Sequence, residues 1–352
     1  LAEQFPDDFM LPNILGAVYS RLGRHEEAIE CYDKATELKP DHFKAFNNCG
    51  NAFNDLGRHE EAIASYNKAI ELKPDYAEAY SNLGNSFNDL GQHEKAIASY
   101  KKAIETQADF SDAYYNLAVI FNTLGRYEEA ISNNKKAIEL KPNLPEAYNN
   151  LGSAFQALNN QASAITNYRK ATEIQPDYLD AYYNLSTILT LCNEYEEAVP
   201  IYYRMLELKS DYAEGYANLG VVLKKLGRYE ESIINYEKAI EINPHYQVVY
   251  INLANAFHET KRYEESIASN IKAVNLNPNF AEAYFSLALS MTAKNELNVA
   301  INCFMRAINC KPDYVQAYNN MGTALKDKGE LDAAIDSYKQ AIKIKPDYAE
   351  AH

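Results

Sequence analysis

Proline recurs in this chain on a lattice. Pro6, Pro40, Pro74, Pro142, Pro176, Pro244, Pro278, Pro312 and Pro346 all fall on one 34-residue step, and the two vacant points hold Ala108 and Ser210. A fixed period of this length marks stacked supersecondary units, each burying its apolar face only against its neighbours. No insertion or deletion disturbs the register. The chain therefore reads as ten complete units at 9–42, 43–76, 77–110, 111–144, 145–178, 179–212, 213–246, 247–280, 281–314 and 315–348. Residues 1–8 match the tail of a preceding unit, and 349–352 match the start of a further one. Neither end reads as a polar capping unit, so a longer array or longer protein is expected around this segment.

Each unit reads as two helices. Counted from its first residue, position 4 is aromatic (Phe46, Tyr80, Tyr114, Tyr148), position 7 apolar (Leu83, Leu117, Leu151) and position 8 small (Gly84, Ala118, Gly152, Ser186, Gly220). Position 20 is Ala or Ser (Ala62, Ala96, Ser232), position 24 mostly Tyr (Tyr66, Tyr100, Tyr168, Tyr236) and position 27 mostly Ala (Ala69, Ala103, Ala239). Positions 4, 7, 8 and 11 share one helical face, as do 20, 24 and 27. Large residues opposite small ones suit two closely packed antiparallel helices.

Between the two stretches, position 15 is Gly in six units (Gly23, Gly57, Gly91, Gly125, Gly227, Gly329) and Asn in three (Asn159, Asn193, Asn295). Both residues tolerate the left-handed conformation that ends a helix. Lys261 breaks the rule and should mark a strained or rearranged turn. After most second helices, Asp or Asn at position 33 stands three residues before an acid or amide, as in Asp75–Glu78 and Asn143–Glu146, which is capping-box spacing. In the first unit Pro12 sits at position 4, tolerable only in a first helical turn, so that helix should start late or pack differently. Asn134 and Asn270 replace the position-24 Tyr in two units and read as locally satisfied polar residues.

The pattern resembles the tetratricopeptide repeat family over essentially the whole chain, Leu1 to His352. The resemblance implies an all-α fold, a right-handed α-solenoid superhelix of 34-residue helix-turn-helix repeats whose first helices line a concave groove. A long uninterrupted array with Asn recurring at position 6 looks most like the superhelical arm of O-GlcNAc transferases, a look that many bacterial scaffold proteins share.

Composition narrows the function. With only 13 Gly and 12 Pro in 352 residues, short regular connections are expected. The net charge is −15, and Lys and Arg are interspersed with Glu, so nucleic acid and anionic membrane surfaces are poor partners. No run approaches the eighteen or so apolar residues of a membrane span. Leu1 to Asp8 lack the basic and apolar regions of a signal peptide, although no initiator Met is present. The five cysteines form no disulfide framework, which favours a reducing, intracellular and cytoplasmic setting.

Catalytic candidates fail in turn. His25, His59 and His93 recur at position 17, where other units carry Tyr127, Tyr195, Tyr229 and Tyr263, so they read as fillers of the hairpin turn. Cys303 and Cys310 stand seven apart on one helix, too far for a shared metal, and all five cysteines read as small buried hydrophobes. Phosphate loops, Ser-His-Asp sets and metal-binding His pairs are absent from the sequence. No catalytic residue, cofactor or metal is assigned.

The groove remains. Positions 2, 5, 6, 9, 12 and 13 lie opposite the packed face of each first helix. Position 6 is Asn at Asn48, Asn82, Asn116, Asn150, Asn184, Asn218, Asn252 and Asn320. Further amides stand at position 9 (Asn51, Asn85, Asn255) and position 12 (Asn54, Asn88, Asn122, Gln156). Asn is a mediocre helix former, so its repetition in mid-helix needs a reason. One reason is peptide binding, since a primary amide can donate to a peptide carbonyl and accept from a peptide N–H together. The other is a bond to a neighbouring helix that preserves the stack.

Position 2 is often acidic (Glu78, Asp112, Glu146, Asp180, Glu214, Glu282), either to complement the helix dipole or to steer basic segments. The resemblance also suggests a clamp for acidic chaperone tails, which needs Lys at position 5. That position reads Asn47, Ser81, Tyr115, Asn149, Tyr183, Ala217, Ile251, Phe285 and Asn319, so the clamp is missing. The expected function is a protein-interaction scaffold binding an extended polypeptide, with the acidic rim favouring a basic one. The alternative is the substrate-recruiting arm of a glycosyltransferase whose catalytic domain lies elsewhere. Self-association through open repeat ends is a third route.

Overall fold

The computed structural model describes residues 9–352, and the expectation for residues 1–8 lies outside them. Among the described residues there are twenty α-helices, one short 3-10 turn and no strand. The chain divides into two compact halves, one ending at Asn184 and the other beginning at Leu185. The first half holds α1 (Met10–Arg21), α2 (His25–Leu38), α3 (Phe43–Asp55), α4 (His59–Leu72), α5 (Ala77–Asp89), α6 (His93–Thr106), α7 (Ser111–Thr123), α8 (Tyr127–Leu140), α9 (Pro145–Ala157) and α10 (Gln161–Ile174). The division falls within α11 (Leu179–Leu191). The second half continues with α12 (Tyr195–Leu208), α13 (Ala213–Lys225), α14 (Tyr229–Ile242), α15 (Gln247–Glu259), α16 (Tyr263–Leu276), α17 (Ala281–Ala293), α18 (Leu297–Cys310), α19 (Val315–Lys328) and α20 (Leu331–Ile344). Within each half, consecutive helices pair as hairpins and each hairpin packs on the next, as an all-α solenoid requires.

Six of the hairpins close on a glycine–tyrosine contact. A Cβ at Gly50 would lie 2.6 Å from the Tyr66 ring, and one at Gly220 would lie 2.5 Å from that of Tyr236. Tyr66 and Tyr236 are almost wholly buried. Where the Tyr becomes Asn134 or Asn270, the facing residue becomes Ala118 or Ala254, because the smaller partner leaves room for a methyl group. The position-3 alanines (Ala45, Ala79, Ala113, Ala147), fully buried, let neighbouring hairpins approach equally closely.

All ten position-15 residues are left-handed, with φ from 69° to 92° at the glycines and from 58° to 61° at Asn159, Asn193 and Asn295. Lys261 adopts φ 60°, so its turn is strained but not rearranged. The same bond that closes the glycine turns, Arg58 N–H to Phe53 O at 2.9 Å, is made by Arg262 to Phe257 at 2.8 Å. Holding a Cβ there costs about 1–2 kcal/mol. Lys261→Gly is therefore expected to stabilise the chain by roughly 1 kcal/mol, part of the strain relief being offset by glycine's entropy. Denaturant titration checks this, and a lowered midpoint would show the turn to be unstrained.

The capping expectation fails. The residue before each first helix is the one at position 34, Tyr76, Phe110, Leu144, Tyr212, Tyr246, Phe280 or Tyr314, and it makes no side-chain cap. His42 is the exception, its Nδ1 accepting from the Ala45 N–H at 3.1 Å. The aromatic residue takes the cap position because it packs inward, as Tyr76 does edge-on against Phe43 with ring centroids 5.0 Å apart. This leaves Asp75 one residue too far out. Pro12 behaves as expected, since α1 starts at position 2 and keeps Pro12 in its first turn.

Candidate functional site

In the first half, three neighbouring first helices, α5, α7 and α9, line an open cleft of about 680 Å3. Its walls are Glu78, Ser81, Asn82, Asn85, Asp112, Tyr115, Asn116 and Glu146, with Gln107, Phe110 and Leu144 from the connections between helices. Three acids and no cation line it. Tyr76 donates its hydroxyl to Glu78 at 3.1 Å, and Lys141 approaches Asp112 at 4.0 Å from outside the lining. Burial, and then the charge of Glu146, raises the Tyr115 phenol. Tyr178 is pushed up to about 12, first by burial and then by Tyr115, Asp180 and Glu146. Both phenols are neutral donors at ordinary pH.

The amides are partly committed to one another. Asn82 Nδ2 donates to Asn47 Oδ1 at 3.1 Å, Asn116 Nδ2 to Asn85 Oδ1 at 3.1 Å, and Asn184 Nδ2 to Asn149 Oδ1 at 2.9 Å. These bonds join successive first helices. Asn82 and Asn116 each spend one N–H on them, keeping the second N–H and the carbonyl oxygen. Asn150 is used differently. Its amide donates to Asn134 Oδ1 at 3.3 Å and accepts from Asn122, which also bonds the Asn150 backbone carbonyl at 2.9 Å. Asn150 is absent from the cleft lining.

The remaining predicted amides split. Asn51 and Asn85 accept from the hydroxyls of Tyr66 and Tyr100 in their own hairpins, at 2.8 and 2.7 Å. Asn54 pairs with His59 at 2.9 Å and accepts from Ser86 at 2.8 Å, and Asn88 pairs with His93 at 3.2 Å. The histidines thus fill the hairpin turns. In the second half, Asn255 accepts from Ser286 at 2.8 Å, and Ser286 accepts from Asn270 at 3.1 Å. Asn320 bonds the Gln316 carbonyl of its own helix at 2.9 Å. Asn48, Asn218 and Asn252 are half-buried. Position 5 is not uniformly open either, since Asn47, Ser81, Ala217 and Ile251 are buried.

Family models described as TPR repeat match residues 16–54, 50–90, 84–125, 120–159, 254–292 and 322–352. Others described as tetratricopeptide repeat match 145–178, 213–246, 167–199, 235–268 and 303–336. The chain belongs to the tetratricopeptide repeat family. Among solved structures, this tetratricopeptide protein is similar to Pseudomonas aeruginosa PilF, at 20% identity and a TM-score of 0.51, over 57% of this chain and 92% of that one. A tetratricopeptide repeat protein from Parabacteroides merdae matches at 16% identity and a TM-score of 0.50, over 71% of this chain and 98% of that one. YrrB, described as a TPR protein with an unusual peptide-binding site, matches at 26% identity and a TM-score of 0.45, over 52% of this chain and 95% of that one. No curated protein matches the chain.

Among the described residues of this tetratricopeptide protein, no group of three or more His, Cys, Asp or Glu is placed to hold a metal ion. No described helix is long and apolar enough to cross a membrane. Of the cysteines, Cys49 is buried, and burial together with Asp33 pushes its thiol up to about 12. Cys31, Cys192, Cys303 and Cys310 are half-exposed, which corrects the expectation that all five are buried. Sequence reasoning missed the cleft walls Phe110 and Leu144. Their signal was present in the recurring large aromatic or apolar residue at position 34.

Proposed function

A tetratricopeptide array is a protein-interaction scaffold, and we propose that the cleft across α5, α7 and α9 holds an extended, basic polypeptide. The observation that carries this is the lining itself, three acids without a cation beside two amides that retain a donor and an acceptor. First helices spaced by roughly 8–10 Å match about three residues of extended chain. Asn82 and Asn116 each engage one peptide group, and Glu78, Asp112 and Glu146 take up the basic side chains between them. Charge then sets the association rate more than the final affinity.

Reversing Glu78 and Glu146 to Lys is expected to slow association of a lysine-rich peptide at low salt by about tenfold or more, within the roughly 10–10³ range of electrostatic steering. The effect should shrink as ionic strength rises. Stopped-flow fluorescence with a labelled peptide measures it, and an unchanged rate would leave these acids as helix-dipole partners only.

A further inference from the structure

A different crevice lies in the second half, between α12 and α14, with a volume of about 590 Å3. Leu206 and Tyr216 line it together with Tyr203 and Ile234. Ile234 is 63% exposed and Tyr203 40% exposed. The crevice in the same register three repeats earlier has a volume of about 320 Å3 and carries Lys101 where Tyr203 stands. The counterpart of Ile234 there is Ser132. No other repeat has a large aliphatic residue at this position, from Glu30 and Ala64 to Asn302 and Asp336. Two substitutions therefore turn a polar inter-repeat notch into a larger apolar one. Neither residue completes the hairpin core, which closes on Gly220 and Tyr236 below.

The rim says what fits. Glu207, Glu237 and Glu241 surround the apolar floor with a single cation, Lys238, which is itself paired to Glu241 at 2.8 Å. Glu207 is paired to Arg204 at 2.8 Å, so Glu237 is the acid left for an incoming charge. A second copy of this chain, with its net charge of −15, would set acid against acid. We propose that the crevice is a docking site for a basic polypeptide segment. The segment inserts one aromatic or branched aliphatic side chain between Tyr203 and Ile234 and places a flanking Lys or Arg against Glu237. This site is separate from the cleft of the first half and does not depend on it.

The test uses the full chain with methyl-labelled isoleucine and two synthetic seven-residue peptides, one bearing a tryptophan between paired lysines and one with alanine in its place. The Ile234 methyl resonance is expected to shift saturably, with affinity about tenfold tighter for the tryptophan peptide, a difference of about 1.4 kcal/mol. Tyr203→Lys with Ile234→Ser restores the residues that the earlier repeat carries, so the fold should persist. Fluorescence of the tryptophan peptide, with the alanine peptide as competitor, should then report the loss of that tenfold preference, since the chain has no tryptophan of its own. Glu78→Lys with Glu146→Lys should leave the Ile234 response unchanged, which separates this site from the cleft. No shift at Ile234, equal affinity for both peptides, equal binding of a glutamate-flanked version, or a preference that survives the Tyr203–Ile234 reversion would each overturn the proposal.

Discussion

Tyr236→Ala is expected to cost about 3–5 kcal/mol of folding stability, the usual range for removing a large buried ring. The ring is wholly buried and lies against the Cα of Gly220, where no side chain can intervene. Gly220→Ala attacks the same contact from the other side. Its Cβ would sit 2.5 Å from Tyr236, and overpacking of this kind costs about 1–3 kcal/mol. The two changes should not add. Gly220→Ala combined with Tyr236→Asn reproduces the pairing already present at Ala118–Asn134, so a coupling of about 0.5–3 kcal/mol is expected in its favour. Because repeats contact only their neighbours, lost hydrogen-exchange protection should centre on α13 and α14. Uniform loss along the array would contradict the one-dimensional picture.

Replacing Asn82 and Asn116 together with Ala is expected to remove about 1–3 kcal/mol of peptide binding, at roughly 0.5–1.5 kcal/mol for each net hydrogen bond. Their stability cost should be modest, because Asn85 keeps its bond from Tyr100 and Ala is the better helix former, which offsets part of the loss at buried Asn47. Asn150→Ala should behave in the opposite way. It strands Asn134, which is fully buried, and removes an acceptor from Asn122, so a stability loss of about 1–3 kcal/mol is expected with little change in affinity. Calorimetric titration with a lysine-rich peptide and a thermal melt on both variants separate the two roles. An Asn82–Asn116 double variant that melts early yet binds with full affinity when folded would sink the peptide ladder.

The hairpins and their turns were legible in the residues, because each signal is local and recurs down the chain. Even Lys261, with no glycine to announce it, takes the left-handed turn because the flanking pattern leaves no other geometry. The facing of small on large was equally readable, since Gly220 and Tyr236 are set against each other by position in the repeat. An amide's partner is another matter. Asn82, Asn116 and Asn150 occupy one register position and look identical in sequence, yet the first two face the cleft and the third is bound to Asn122 and Asn134. An asparagine has two donors and two acceptor sites within reach of several neighbours, so side chains a full repeat away choose among them. Position 34 follows the same logic, since inward packing of Tyr76 beat the Asp75 cap that local spacing favoured. Periodicity therefore determined the hairpins and the face each residue occupies. Only tertiary packing decided which polar groups on that face were already taken, because hydrogen bonds are settled by distances of a few tenths of an ångström that a repeat pattern does not encode.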